Sequence, residues 1–355
     1  MAGVGGVVVA LLAGATLCLT AGCSTVEYYA QSVGGHLSLL RAARPVPDWL
    51  ADTQAAPALK ERLQLSQRVR DFAVAELKLP DNASYRRYAD LKRSAAVWNV
   101  VAAPELSLTL KTSCFPVVGC VGYRGFFQQS EAEAFGAQLR EQGLEVTVYG
   151  VSAYSTLGRL PTAWMADPLL STFIHWSEGE LARMIFHELS HQVAYANDDT
   201  MFNESFATAV ERVGGTRWLA AHGGPKARED YERIDGRRQD FRALTLKYRQ
   251  WLADVYADGT PDADKRAVKA ALMNRFRAEF EALKSERWGG FAGYDSWVAR
   301  ANNASFGVLA AYNELVPQFE RLFDRRGRDF ERFYAEVQRL AALPKDQRRT
   351  ALNLE

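Results

Sequence analysis

The sequence predicts an α+β fold in which helices dominate: a small α/β layer, then an amphipathic helix, then a C-terminal helical bundle. Three observations carry this. Stretches 97–110 (VWNVVAAPELSLTL) and 145–151 (EVTVYGV) read as strands, the first broken at Pro104 and the second by clear alternation. From Ser177 the chain reads as one amphipathic helix, which the turn chemistry of Asn197 breaks. From Gly215 onward nearly everything is helical in pattern, over about 225–257, 261–285, 300–323 and 327–342. Strands followed by a run of helices fit α+β and not a parallel sheet.

Residues 1–23, MAGVGGVVVALLAGATLCLTAGC, form a targeting segment. Its apolar run, 7–19, is short for a membrane span of ~20 residues. It ends in Leu19, Thr20, Ala21, Gly22 and Cys23, which resembles a bacterial lipoprotein signal with Cys23 as the lipidated first mature residue. The leader lacks the usual Lys or Arg, and Thr20 stands where that pattern prefers Leu. An ordinary cleaved signal and a retained transmembrane anchor are the alternatives. The body, 24–355, is expected to be exported as one domain, lipid-anchored in the cell envelope and facing the periplasm. Ser24 after the cysteine suits delivery to the outer membrane.

Only Cys114 and Cys120 remain in that body, a candidate disulfide where the compartment is oxidising; two buried free thiols are the alternative. Net charge is +1, with basic and acidic residues interleaved and no basic block, so nothing calls for nucleic acid. Along the first part, 24–176, a helical turn is expected near 37–40, a helix over 56–79 ended by Pro80, and a helix over 130–143 with Gly143 past its end.

Segment 177–215 organises the chain. Ser177 and Glu180 have capping-box spacing, and Ile185, Leu189 and Val193 form an apolar stripe. His187 and His191, four apart, share one helix face and can present two imidazoles to one ion. Glu188 lies about 100° around the helix, beside the ion and not ligating it. A catalytic zinc takes three protein ligands. Glu204 is the nearest suitable third, on a second helix whose stripe is Phe202, Phe206, Ala209 and Val213 and which Gly214 and Gly215 are expected to stop. The extended HExxHxxGxxH pattern is excluded because positions 194 and 197 are Ala and Asn. What is left resembles the gluzincin metallopeptidases, in which a glutamate on a following helix completes the site.

Further stretches widen the resemblance. They are 79–85 (LPDNASY), 97–104 (VWNVVAAP), 114–125 (CFPVVGCVGYRG), 153–158 (AYSTLG), 186–189 (FHEL), 202–207 (FNESFA) and 302–304 (NNA). Together they are similar to the proteobacterial family of putative zinc aminopeptidases, many of them lipoproteins. The resemblance implies one Zn2+ per chain held by His187, His191 and Glu204, Glu188 as catalytic residue, and peptide as substrate. Residues 159–165 (RLPTAWM) read as a few inserted positions in a loop on the substrate side.

Zinc makes a water acidic, and Glu188 takes its proton for attack on a peptide carbonyl. The developing oxyanion needs one more donor. Tyr154, Arg124, Tyr312 and His222 are candidates; in gluzincins the donor follows the third ligand, which favours Tyr312 or His222. Arg124 could also bind a substrate carboxylate. Glu211 could orient a ligand histidine, or instead pair with Arg212 or Arg217. The Gly-x-Met-Glu-Asn signature of large aminopeptidases is missing. An endopeptidase or envelope peptide processor, and a silent zinc-binding scaffold, are therefore the alternative readings.

Overall fold

The computed structural model describes residues 23–115, 119–153, 155–156, 162–197 and 199–354. Residues 1–22 of the expected lipoprotein-type signal therefore lie outside the described residues, as do Tyr154 and residues 159–161 of the expected inserted loop. In chain order the elements are α1 (Cys23–Ala42), β1 (Arg44–Pro45), α2 (Val46–Ala51), α3 (Pro57–Ala75), β2 (Arg87–Ala89), β3 (Val97–Pro104), β4 (Ser113–Phe115), β5 (Gly119–Val121), β6 (Arg124–Phe126), α4 (Gln129–Glu141), β7 (Leu144–Val151) and β8 (Leu169–Leu170). There follow α5 (Glu178–Ser190), α6 (Thr200–His222), α7 (Pro225–Ala257), α8 (Asp262–Glu286), α9 (Asp295–Arg300), α10 (Asn303–Asn313), α11 (Val316–Arg325), α12 (Phe330–Ala341) and α13 (Lys345–Leu354). The fold is α+β and mostly helical. No helix among the described residues is long and apolar enough to cross a membrane.

The sheet that matters for the site is β6-β3-β7, antiparallel throughout, with Val97 opposite Val151 and Pro104 opposite Leu144. Strand character ends at Pro104, so the expected strand over 97–110 is shorter than its apolar run. Side chains alternate across the sheet. Trp98, Val100, Ala102, Phe126 and Val146 pack on α4 through Ala132 and Leu139. Val101, Ala103, Tyr123 and Tyr149 face the other way, toward Ala304 and Val308 of α10.

That second face is tied down at the start of α10. Asn302 donates to the Val146 carbonyl (3.1 Å). Asn303 donates to the carbonyls of Pro104 (3.1 Å) and Glu105 (2.7 Å). The β4–β5 pair sets Cys114 opposite Cys120, and their sulfurs form a disulfide. A third small sheet, β1-β2-β8, contains a two-residue parallel pair.

The main core gathers α3, α5, α6, α11 and α12 around Phe186, Phe202, Phe206, Phe319 and Phe333. A second core fills the α7–α8 hairpin with Phe241, Tyr248, Phe276 and Phe280, and reaches α10 at Phe306. The helix expected over 300–323 is divided into α10 and α11, because Pro317 can only enter a helix in its first turn.

Candidate metal centre

Helices α5 and α6 run antiparallel. Glu178 near the start of α5 accepts from Trp218 Nε1 (3.0 Å) near the end of α6, and His187 near the end of α5 meets Glu204 near the start of α6. The expected capping box does not form: Ser177 occupies the N-cap position, but its hydroxyl makes no capping bond. Glu180 is drawn to Arg183 and Arg238 instead of folding back. Helix α5 also ends at Ser190, before Val193, because its last turn tightens. Gln192 donates to the Leu189 carbonyl and Val193 to that of Ser190, three residues back in each case.

Gly214 and Gly215 do not stop α6, which continues to His222. Their role is close packing. A Cβ on Gly214 would lie 2.7 Å from Leu77 Cδ1 and 2.8 Å from Phe186 Cδ2, and one on Gly215 would lie 2.9 Å from Arg183 Cγ. The two glycines let α6 lie against α5, at a propensity cost of about 1 kcal/mol each relative to alanine.

The connection between the helices is held by its own side chains. Asn203 accepts from the Ala196 amide (2.7 Å) and donates to the Ala196 carbonyl (2.9 Å). Asp199 caps α6 by accepting from the Phe202 amide (3.2 Å), and its carboxylate pairs with Arg348 and Arg349, both at 2.7 Å.

This frame brings three donors together. His187 Nε2 lies 3.2 Å from Glu204 Oε2 and 3.2 Å from His191 Nε2, and the latter is 3.7 Å from Glu204 Oε2. Among the described residues, His187, His191 and Glu204 are the group that could hold a metal ion.

Behind them is a chain of charges. His187 Nδ1 meets Glu211 Oε2 at 2.9 Å. The other Glu211 oxygen pairs with Arg183, which reaches Asp235 at 2.9 Å, and Arg238 joins Asp235 (3.2 Å) to Glu180. Glu211 thus takes Arg183 as its partner, not Arg212 or Arg217; Arg212 pairs with Glu320 at 2.8 Å.

The electrostatics follow from burial and these partners. Burial works to raise the Glu211 carboxyl, but the Arg183 charge and the His187 hydrogen bond overcome it and hold it at about 2. Burial would lower His187, yet its hydrogen bonds to Glu204 and Glu211 raise it well above an ordinary histidine. Burial lowers His191 to about 4. Glu188, half-buried beside the cluster, is pushed up to about 7 by burial, with the His187 charge opposing and Glu204 and Asp167 adding.

Arg124 and His222 lie elsewhere. Arg124 is on the α4 face of the sheet, over the rings of Tyr28 (4.0 Å) and Phe135 (4.7 Å), because strand alternation sends it opposite to its neighbour Tyr123. His222 stacks on Trp218 (ring centroids 4.5 Å apart) and meets Phe72 at 5.5 Å. It stands eighteen residues beyond Glu204 on one helix, roughly 27 Å away along the axis. Tyr312 is in α10, and its side chain lies outside the described residues.

Two tyrosines on the α10 side of the sheet, Tyr123 and Tyr149, also feel the Glu204 charge. Burial raises both phenols and the Glu204 charge adds to it; in Tyr149 a hydrogen bond with Asn99 opposes, and the phenol stands at about 12. The period-2 pattern of 145–151 could have set Tyr149 on one face, but which face meets the metal helices depends on pairing with β3. A cavity of about 670 Å³ lined by Leu108, Met201, Arg249 and Gly307 holds none of the three converging residues.

A family model described as "Putative aminopeptidase" matches residues 27–352. No protein of curated function and no solved structure matches the chain.

Proposed function

Because the chain belongs to the putative aminopeptidase family, we propose that it is a zinc-dependent peptidase of gluzincin type, acting at the free amino end of peptides. The observation that carries this is the triangle of His187 Nε2, His191 Nε2 and Glu204 Oε2, with sides of 3.2, 3.2 and 3.7 Å. Bonds of about 2.0–2.1 Å at the tetrahedral angle set ligand atoms ~3.3 Å apart, so one zinc fits this donor set and keeps a fourth position open. Glu211 behind His187 is the carboxylate partner that zinc-ligating histidines commonly have.

Zinc so held supplies Lewis acidity at neutral pH. The remaining steps belong to the protein. Glu188, half-buried and next in sequence to the ligand His187, is the carboxylate placed to take a proton and give it back. It accepts the proton of the attacking water and returns it to the leaving amine as the C–N bond breaks. Tyr123 and Tyr149, whose phenols feel the Glu204 charge, are the donors we assign to the oxyanion of the tetrahedral adduct.

We place this activity in a single domain outside the cytoplasm, lipid-anchored through Cys23 and facing the periplasm. The small-residue run ending at Cys23 supports that reading, and so does the Cys114–Cys120 disulfide, a bond that persists in oxidising compartments. Metabolic labelling with a radioactive fatty acid tests the anchor: label should enter the wild type and not Cys23→Ala.

The activity is tested by digesting peptides with free and blocked amino termini. Purified protein should hold about one zinc per chain and cleave only the free-amine set. Glu188→Gln should keep the metal and lose roughly 10²–10⁴-fold in kcat. Equal cleavage of both sets would remove the aminopeptidase assignment, and an active Glu188→Gln would remove the mechanism.

A further inference from the structure

Tyr85 pairs two features that a packing residue does not need. It is buried, 1 % exposed, and its hydroxyl finds no hydrogen-bond partner among the described residues. Its backbone is left-handed, φ +64°, a conformation that bulky side chains rarely take. A phenylalanine on ordinary backbone would avoid both costs.

The neighbourhood enforces this conformation. The Tyr85 amide donates to the Asp167 carbonyl (2.7 Å), and its carbonyl accepts from Gln67 Nε2 (3.0 Å). Arg70 holds the preceding loop through the carbonyls of Pro80 (2.6 Å) and Ser84 (3.1 Å). Gln192, which directly follows His191, accepts from Asn82 Nδ2 (2.6 Å) and donates to Ser84 Oγ (3.1 Å). The loop that carries Tyr85 is therefore bonded to the end of the metal helix. Glu188 lies four residues before Gln192, so this loop is bonded on the base's side of the metal helix, and the Glu188 charge acts on the phenol. Burial keeps the phenol protonated, so it remains a donor.

We propose that Tyr85 is a positioning residue for the general base, its hydroxyl hydrogen-bonding one oxygen of the Glu188 carboxyl group during turnover so that the other oxygen faces the reacting water. The inference rests on the peptidase reading above. Tyr85 keeps its own proton throughout; the transferred proton moves from water to Glu188 to the leaving amine. A strained backbone and an unused buried donor, on a loop bonded to the helix that carries the base, are what such a role requires.

The test is Tyr85→Phe in the zinc-loaded protein, which keeps the ring and removes the hydroxyl. The expected result is a kcat lower by roughly 10- to 100-fold, a fraction of what a well-placed base contributes. KM should stay within about twofold, zinc content should be unchanged, and Tm should be equal or higher because a buried, unused donor is gone. A Tm lowered by several degrees together with lower kcat would overturn the proposal in favour of a structural role. A wild type that hydrolyses while Tyr85→Phe matches its kcat within twofold would overturn this inference alone. A zinc-loaded wild type that cleaves nothing would overturn the peptidase reading and this inference with it.

Discussion

Glu211 stands 2.9 Å behind the Nδ1 of His187 and is ion-paired on its other side to Arg183. The imidazole is thereby held with its Nε2 toward Glu204 and His191. Glu211→Gln keeps the shape but removes the charge. Its zinc affinity should fall about 10- to 100-fold, read by competition against a chelator of known affinity. Unchanged affinity would show that Glu211 serves Arg183 alone.

Two glycines in long helices should respond in opposite directions. Gly214 is pressed between Leu77 and Phe186, whereas a Cβ on Gly236 in α7 meets nothing within 4 Å. Gly214→Val should lose about 2–3 kcal/mol of stability through overpacking. Gly236→Ala should gain about 0.5–1 kcal/mol from helix propensity. Urea unfolding measures both, and a stable Gly214→Val would mean that the α5–α6 contact yields easily.

Asp167 gives a pH dependence with a definite sign. Burial pushes its carboxyl up to about 6, against opposing hydrogen bonds from Thr156 and Ser155. The folded protein therefore holds a proton that the unfolded chain releases between about pH 4 and 6. Stability from this group is complete below that window and is lost as pH rises through it, at no more than about 1.4 kcal/mol per unit. The stability of wild type minus that of Asp167→Asn should decline across the window. A difference that is flat or rising with pH would contradict the assignment.

Asn203 closes both hydrogen-bonding groups of Ala196. Asn203→Ala strands a buried amide and should cost about 1–3 kcal/mol. Because Glu204 is the next residue, zinc affinity should fall as well. Loss of stability with normal zinc affinity would separate the clamp from the site.

What could be read in the sequence is what is local. His187 and His191 are fixed by helical spacing, and Glu204 follows from an adjacent helix, so the donor set needs no knowledge of the rest of the chain. Tyr123 and Tyr149 were not legible because their placement depends on β3 pairing with strands on both sides, and Arg124 was misplaced for the same reason. Gly214 and Gly215 have the look of a helix end; only the rings and side chains of α5 pressing on them reveal a contact point. The long helices α7 and α8 were legible from pattern alone, while α13 was not, since its ten residues are mostly polar. The backbone of Tyr85 leaves no trace in composition or periodicity.

The row of alternating charges from His187 through Glu211 and Arg183 to Asp235 spans three helices with contacts made by protein alone. The ties that hold this cradle run from side chain to side chain, with none routed through an ion. On the proposed zinc reading, chelation should abolish cleavage while Tm changes little, and added zinc should restore it.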